Sequence, residues 1–204
     1  MRWRALVPPG HDYHASLRLV DAEGRTWAQY DAPLEDAEGW RASAWTADTE
    51  HDVDLPLDCE PGAPPGAYRL VLSLYRLDDL GLLDVVAGDA APARQIDLGM
   101  VRVRPARVPP RDEELAVPNP TDVALGGRVA VLGYALCRDV VASGEEVVVT
   151  LYWRCLAALD GDYDLFLRIV SGGREVGSVR ARPVGDGHPT DRWRPGEALR
   201  SAHA

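Results

Sequence analysis

The sequence contains no lysine, and all 22 of its basic side chains are arginines. Catalysis through a lysine Schiff base and phosphate binding by a P-loop lysine are therefore excluded. The 32 acidic residues give a formal net charge of −10, which repels phosphate backbones and anionic membranes. We accordingly expect no nucleic-acid partner.

Cysteine and long apolar runs are also scarce. Cys59, Cys137 and Cys155 form no Cys-x-x-Cys motif and have no histidine at zinc-ligand spacing. No apolar run approaches the roughly 18 residues of a transmembrane helix, and the N-terminal residues lead into Pro8 and Pro9 without a signal-peptide core. We expect no disulfide framework, no metal site, no cofactor and no direct membrane insertion. These residues alone do not specify the compartment.

The most specific feature of the sequence is an internal repeat with an offset of 150 residues. Segment Trp3 to Pro33 recurs without a gap, and beyond the prolines the copies drift by two residues, so that Trp45 corresponds to Trp193. The matching pairs are Trp3 and Trp153, Arg4 and Arg154, Leu6 and Leu156, Asp12 and Asp162, Tyr13 and Tyr163, Leu17 and Leu167, Arg18 and Arg168, Val20 and Val170, and Pro33 and Pro183.

Two copies of a 150-residue unit do not fit into 204 residues, so both copies are partial and each contains what the other lacks. We predict a first sandwich module over residues 1–104 that lacks its N-terminal strands. A second module over residues 123–204 lacks its C-terminal strands. Residues 105–122 contain five prolines and no hydrophobic period, which predicts an extended linker.

Alternation of apolar and polar residues is the dominant period, and no segment has a convincing helical stripe. Glycine-containing turns separate the alternating segments, which favours an all-β fold, an antiparallel β-sandwich. The segment Pro64 to Leu70 resembles the tyrosine corner of immunoglobulin-like folds, without the cysteine of antibody domains, and is closer to fibronectin type III. The clearest predicted strands are 16–20, 67–76, 95–104, 129–136, 146–153, 166–170 and 175–182.

Four segments together resemble a known class of module: Trp153–Tyr163, Asp21–Arg25, Pro189–Glu197 and Pro64–Leu70. They are similar to the β-sandwich modules, often tandem, that follow the membrane part of large bacterial glycosyltransferases of the dolichyl-phosphate-mannose mannosyltransferase type. The resemblance implies an extracytoplasmic scaffold. It implies no transferase activity, because the membrane helices and acidic catalytic loops of those enzymes are missing here. Trp45 also lacks the Pro-Gly-Glu that follows Trp193.

Two tryptophans are the candidate ligand-binding residues. Trp27 and Trp40 have no aromatic counterpart in the other copy, so we predict that they lie at the surface and stack on a glycan. Trp3 and Trp153, in contrast, are expected to occupy equivalent core positions.

Other polar motifs resemble sites but are incomplete. Asp160, Asp162 and Asp164 have the alternate spacing that begins a calcium loop, yet the turn glycine and the final glutamate are missing. The segments 11–14 and 51–54 combine histidine with aspartate, but in the first only Asp12 and His14 could face one side of a strand, which is too few ligands for a metal. We predict polar loops at all three places.

The sequence therefore predicts a protein that is not an enzyme. It favours a non-catalytic accessory, spacer or interaction module with a glycan or protein partner. Because incomplete sheets expose backbone edges, we also expect self-association by strand complementation. Two alternatives stay open, namely a carbohydrate-binding module and a gene fragment without independent function.

Overall fold

The structure is a computed structural model of the chain that describes residues 1–86 and 92–204. Within these residues the regular structure consists of twelve antiparallel strands and three short 3-10 turns, which confirms the predicted all-β, sandwich-type fold. The described part contains no helix long and apolar enough to cross a membrane. The chain divides into two compact units, residues 1–60 with 67–101 and residues 61–66 with 102–204.

Unit 1 contains a two-stranded sheet, β1-β4, and a four-stranded sheet with the order β3-β2-β5-β6. The core lies between the two sheets and contains Leu17, Trp45 and Leu72. Leu17 of β2 lies opposite Leu72 of β5 in the larger sheet, and Trp45 follows a short 3-10 turn. The strands are β1 (Arg2–Ala5), β2 (Tyr13–Val20), β3 (Thr26–Pro33), β4 (Thr49–Asp52), β5 (Gly66–Arg76) and β6 (Ile96–Val103).

Unit 2 has the complementary composition, a four-stranded sheet with the order β12-β9-β8-β7 and a two-stranded sheet, β10-β11. Trp153, Cys155, Trp193 and Leu199 form the centre of its core, and Leu165 and Leu167 of β10 pack against them. The strands are β7 (Asn119–Leu125), β8 (Val129–Leu136), β9 (Val149–Cys155), β10 (Leu165–Ser171), β11 (Arg174–Ala181) and β12 (Ala198–His203).

Equivalent parts of the repeat have the same local structure. In β1, Trp3 lies opposite His51 of β4, and in β9, Trp153 lies opposite Leu199 of β12. The β2-β3 hairpin has a register shift immediately after Leu19, and the β10-β11 hairpin has one immediately after its counterpart Ile169. The weaker match beyond the prolines also holds in three dimensions.

Trp45 and Trp193 illustrate that weaker match. Each follows a 3-10 turn, Ala42–Ala44 and Thr190–Arg192 respectively, and each is buried. The indole N–H of Trp45 donates to the carbonyl of Trp40 at 3.0 Å, and that of Trp193 donates to the carbonyl of His188 at 3.2 Å. In both cases the acceptor carbonyl belongs to the residue five positions before the tryptophan. The same hydrogen-bonded turn therefore occurs in both units.

The segment predicted as a linker, residues 105–122, is structured in its second half. A 3-10 turn over Asp112–Leu115 buries Leu115 against Tyr152 and Ala198, and β7 begins at Asn119. The guanidinium of Arg154 holds this segment by donating to the Pro110 carbonyl at 2.7 Å and to the Asp112 carboxylate. Proline content does not reveal these contacts, because Leu115 and the half-buried Arg154 dock the segment onto the sheet.

Strands β1, β3, β4, β7 and β12 were not among the clearest strands predicted from the sequence. Each is short or begins beside proline or charged residues, so alternation is weak there. Pairing with another strand stabilises them instead: β4 pairs with β1, β7 with β8 and β12 with β9, and no local pattern reveals these partners.

Candidate functional site

Trp27 lies in the interior of unit 1, contrary to the prediction of a surface stacking residue. It is 7% exposed, and its indole N–H donates to Asp21 Oδ2 at 2.8 Å. Its ring contacts Tyr68 edge to face, with centroids 6.5 Å apart. The Asp21 carboxylate also accepts from the backbone N–H of Arg25 at 2.8 Å, so the hairpin turn fixes the tryptophan. A ring enclosed on this side offers no open face to a sugar.

Trp40 has the exposed setting that was predicted for it. Trp40 is 59% exposed. Its backbone N–H donates to the Asp36 carboxylate at 2.9 Å, which fixes the backbone. The Trp40 carbonyl accepts from Trp45, so the backbone position is rigid although the ring is free of the core. Glycan stacking by Trp40 stays a prediction.

The three aspartates of the loop 160–164 are bound by several neighbouring groups, and Asp162 and Asp164 both pair with Arg182. Asp160 accepts a hydrogen bond from the Tyr163 hydroxyl at 2.5 Å, and this bond lowers the pKa of Asp160 below its ordinary value. Asp162 Oδ1 accepts from the backbone N–H of Thr190 at 3.1 Å and thereby caps the 3-10 turn. Asp164 pairs with Arg180 at 2.6 Å. Hydrogen bonds and ion pairs within the chain therefore engage all three carboxylates, and the two that share a partner meet at the guanidinium of Arg182.

Asp12 repeats the role of Asp162 in unit 1, because its Oδ1 accepts from the backbone N–H of Ser43 at 3.2 Å. Hydrogen bonding to Ser43 is the main cause that lowers the pKa of Asp12.

Asp12 also borders an open depression of about 470 Å³, together with His11, Leu77 and Asp78. Across the residues that the structure describes, no three His, Cys, Asp or Glu side chains are grouped closely enough to hold a metal ion.

His51 is a packed residue rather than the solvated loop residue that we predicted. Its imidazole stacks on Trp45 with centroids 4.1 Å apart, Nδ1 lies 2.7 Å from Asp36 Oδ2, and Nε2 lies 2.8 Å from Thr49 Oγ1. Strand β4 carries it into unit 1. Because both ring nitrogens are occupied, His51 has a structural role.

A buried polar group in unit 2 was missed in the sequence. His188 Nε2 lies 3.0 Å from Glu197 Oε1, and both side chains are buried. Glu197 Oε2 also accepts from the backbone N–H of Arg194 at 2.8 Å. Burial raises the pKa of Glu197, but these hydrogen bonds outweigh it and hold the pKa below its ordinary value. The repeat gave no signal here, since the position equivalent to His188 is Trp40.

A second buried group surrounds Trp153, whose indole N–H donates to Ser201 Oγ at 2.9 Å. His203 Nε2 lies 2.8 Å from the same hydroxyl. Trp3, the equivalent tryptophan, has a buried indole nitrogen with no hydrogen-bond partner among the described residues. Burial also raises the pKa of the neighbouring Cys155 thiol, which argues against a reactive cysteine. These groups stabilise β9 and β12 and form no open site.

The outer edge of β10 is a feature of unit 2 at which apolar side chains are exposed beside backbone that pairs with no described strand. Within the described residues β10 pairs only with β11, whereas its counterpart β2 pairs with β3 on one edge and with β5 on the other. Leu19 and Val20 are 4% and 7% exposed, but their counterparts Ile169 and Val170 are 49% and 58% exposed. The candidate site is therefore the open edge of β10, which corresponds to the edge of β2 that β5 covers in unit 1.

Comparison with known proteins identifies no relative. The chain matches no family model, no curated protein and no solved structure.

Proposed function

We propose that this protein is a non-catalytic β-sandwich interaction module that accepts an additional strand along the free edge of β10. One observation carries the proposal. Residues equivalent to Ile169 and Val170 are covered by β5 in the other copy of the same repeat, and at β10 they are exposed. The fold therefore contains both an occupied and an unoccupied version of one strand-binding position.

Strand addition follows from ordinary sheet chemistry. An unpaired edge offers a row of backbone N–H and C=O groups, which give affinity, while side chains at alternate positions give specificity. On β10 the core-facing side chains Leu165 and Leu167 already contact the apolar cluster around Trp153. An added strand with aliphatic residues at alternate positions would extend that core and remove Ile169 from water.

The other incomplete sheet is a weaker acceptor. Strand β1 is only four residues long, and its outward-facing Arg2 and Arg4 pair with Asp52 and Asp48. Short edges with charged side chains are how native sheets avoid further pairing. The β10 edge has seven residues, and Arg168 is its only charged one.

A labelled peptide with the sequence of β5, Gly66–Arg76, tests the proposal. We expect saturable binding to the full chain, with Ile169→Asp weakening it by about tenfold or more and the matched exposed variant Val176→Asp leaving it unchanged. A control peptide with serine at the positions of Leu70, Leu72 and Leu74 should not bind. Failure of the β5 peptide to bind, or equal binding by both variants, would overturn the proposal.

The resemblance to modules of membrane glycosyltransferases extends this proposal to an accessory or spacer role outside the cytoplasm, with an immunoglobulin or fibronectin type III topology. Burial of Tyr68 near the start of β5 supports the topology. Loss of a hydrogen bond from the Tyr68 hydroxyl would test it. Tyr68→Phe should destabilise unit 1 by about 1 kcal/mol if the tyrosine corner is present, and an unchanged stability would contradict it.

Carbohydrate binding is the second candidate, and the exposed ring of Trp40 favours it. Titration of the chain with a panel of soluble glycans should then quench tryptophan fluorescence saturably, and Trp40→Ala should abolish the quenching. Binding that survives Trp40→Ala would remove this residue from the site.

A further inference from the structure

We propose that the strand accepted by β10 is β10 of a second copy of this chain, paired antiparallel about a two-fold axis with Leu167 opposite its own symmetry mate. This inference rests on the proposed function and identifies the partner. The pairing that β2 makes with β5 supplies the template for it. There, Leu17 lies opposite Leu72, Leu19 opposite Leu70 and Ala15 opposite Leu74.

A second β10 reproduces the aliphatic pattern of β5 in that template. Leu167 is the counterpart of Leu17, which lies opposite Leu72 in unit 1. In the proposed dimer, Leu167 likewise lies opposite a leucine, namely Leu167 of the second copy. The same register places Leu165 of one copy opposite the exposed Ile169 of the other. This matches the pair in unit 1, where Leu70 lies opposite Leu19, the counterpart of Ile169. All these side chains lie on the face of β10 that packs against the Trp153 cluster, by the alternation of a strand.

The opposite face of β10 fits the same register. Phe166 is 58% exposed, and the Arg168 guanidinium lies 5.7 Å from its ring centroid within one chain. Pairing about Leu167 places Arg168 of each copy opposite Phe166 of the other, where a cation–π contact is favourable. Pairing about Arg168 would instead place the two arginines opposite each other, which is unfavourable for like charges.

A two-fold arrangement is favoured over an open chain of molecules. The surface is self-complementary, as an isologous interface requires, and pairing consumes the free edge of both copies at once. The contact involves one strand from each copy and is small, so we expect weak association that is visible only at high protein concentration. The net charge of −10 on each copy opposes it, and salt screens that repulsion.

Sedimentation equilibrium of the full chain at high salt, from micromolar to millimolar concentration, measures the association. We expect a monomer–dimer equilibrium. In the proposed register Val170 lies opposite Asp164, so Val170→Asp should weaken dimerisation by about tenfold through like-charge repulsion. Val170→Arg should not weaken it, and Val176→Asp on β11 is the matched control that should leave it unchanged.

Cysteine cross-linking tests the register in a background with Cys59→Ser and Cys137→Ser, because both native thiols are exposed. Oxidation of Leu167→Cys should give a covalent dimer, and Leu165→Cys should not, since Leu165 lies opposite Ile169 rather than itself. A cross-link at both positions or only at Leu165 would overturn the register. A circular-dichroism spectrum like that of the parent protein would show that each variant is folded.

The mass measurement and the β5 peptide together separate the two proposals. A chain that stays monomeric at all concentrations but binds the β5 peptide would overturn the second copy as the partner and leave strand addition intact. A monomer that binds no peptide would overturn both.

Discussion

Leu19 and Ile169 occupy the same position of the internal repeat, yet one is almost completely buried and the other is half exposed. Both follow the same hairpin geometry, and both precede a register shift toward the neighbouring strand. The difference arises on the other edge, where β5 covers Leu19 and no described strand covers Ile169. Equivalent sequence has therefore produced two different environments.

Truncating these two residues should give different costs. Leu19→Ala creates a cavity in unit 1 and should lower the free energy of unfolding by about 2 to 5 kcal/mol. Ile169→Ala removes a side chain that is already half exposed, so we expect a loss of only about 1 kcal/mol at concentrations where the chain is monomeric. Urea unfolding measures both, and equal losses would show that the β10 edge is covered.

The two candidate tryptophans should separate in the same way. Trp27→Ala removes a buried ring and the hydrogen bond to Asp21, and should cost about 3 to 5 kcal/mol. Trp40→Ala should cost less than about 1 kcal/mol, because the ring lies outside the core and only its backbone is bonded. A large loss for Trp40→Ala would assign this ring to packing rather than to a surface site.

Gly133 allows β7 to approach β8 closely. Its φ is +154°, and a Cβ atom there would overlap the Asn119 carbonyl oxygen and lie 2.9 Å from Pro120 Cα. Gly144 has a φ of +90° with open space around it, so Gly144→Ala should cost only the backbone strain of about 1 to 2 kcal/mol. Gly133→Ala should cost about 1 to 3 kcal/mol more through overpacking. Amide exchange in β7 would detect the loosened strand, and equal costs would contradict the close approach.

Asp162 is expected to stabilise the 3-10 turn before Trp193. Asp162→Ala leaves the Thr190 N–H without its acceptor and also removes an ion pair with Arg182, and we expect a loss of about 0.5 to 2 kcal/mol, comparable to that of an N-cap carboxylate. The control is Asp186→Ala, since that carboxylate is almost fully exposed and makes only a 3.8 Å ion pair. Thermal unfolding compares the two variants, and an equal effect would remove the capping role.

Glu197 should make unit 2 sensitive to acid. Its pKa in the folded protein is below the ordinary value of 4.5, so the unfolded state takes up the proton more readily. The stabilisation is therefore present above about pH 4.5 and is lost as the pH falls through the folded pKa. Glu197→Gln should flatten this acid dependence and, at neutral pH, cost about 1.5 to 3 kcal/mol through the weaker bond to His188.

Amide exchange of β9 and β12 as a function of pH reports on unit 2 separately. Leu199 in β12 and Trp153 in β9 lie opposite each other, so their amides report the same opening of the sheet. An acid dependence that Glu197→Gln leaves unchanged would assign the effect to other carboxylates.

Local sequence was sufficient for much of the fold and for little of the site. The strand predicted over residues 129–136 coincides with β8, and Trp45 and Trp193 are buried in the cores of their units. Trp3 and Trp153 differ from the expected equivalence, because Trp153 is buried whereas Trp3 is only partly buried against its core. The exposed position of Trp40 was also anticipated. Trp27 was misassigned because its burial depends on Asp21 and Tyr68, one of which lies 41 residues away.

The amino-acid sequence by itself determined the strand pattern, the turns and the duplication, because alternation, glycine and proline act over a few residues and are repeated wherever the same residues recur. Only the tertiary structure decided which edges are paired and which side chains are buried. Those properties depend on strands that are distant in the chain: β5 pairs with the second edge of β2, whereas β10 pairs only with β11 among the described strands. Corresponding segments of the repeat therefore have a paired second edge in one unit and an open second edge in the other.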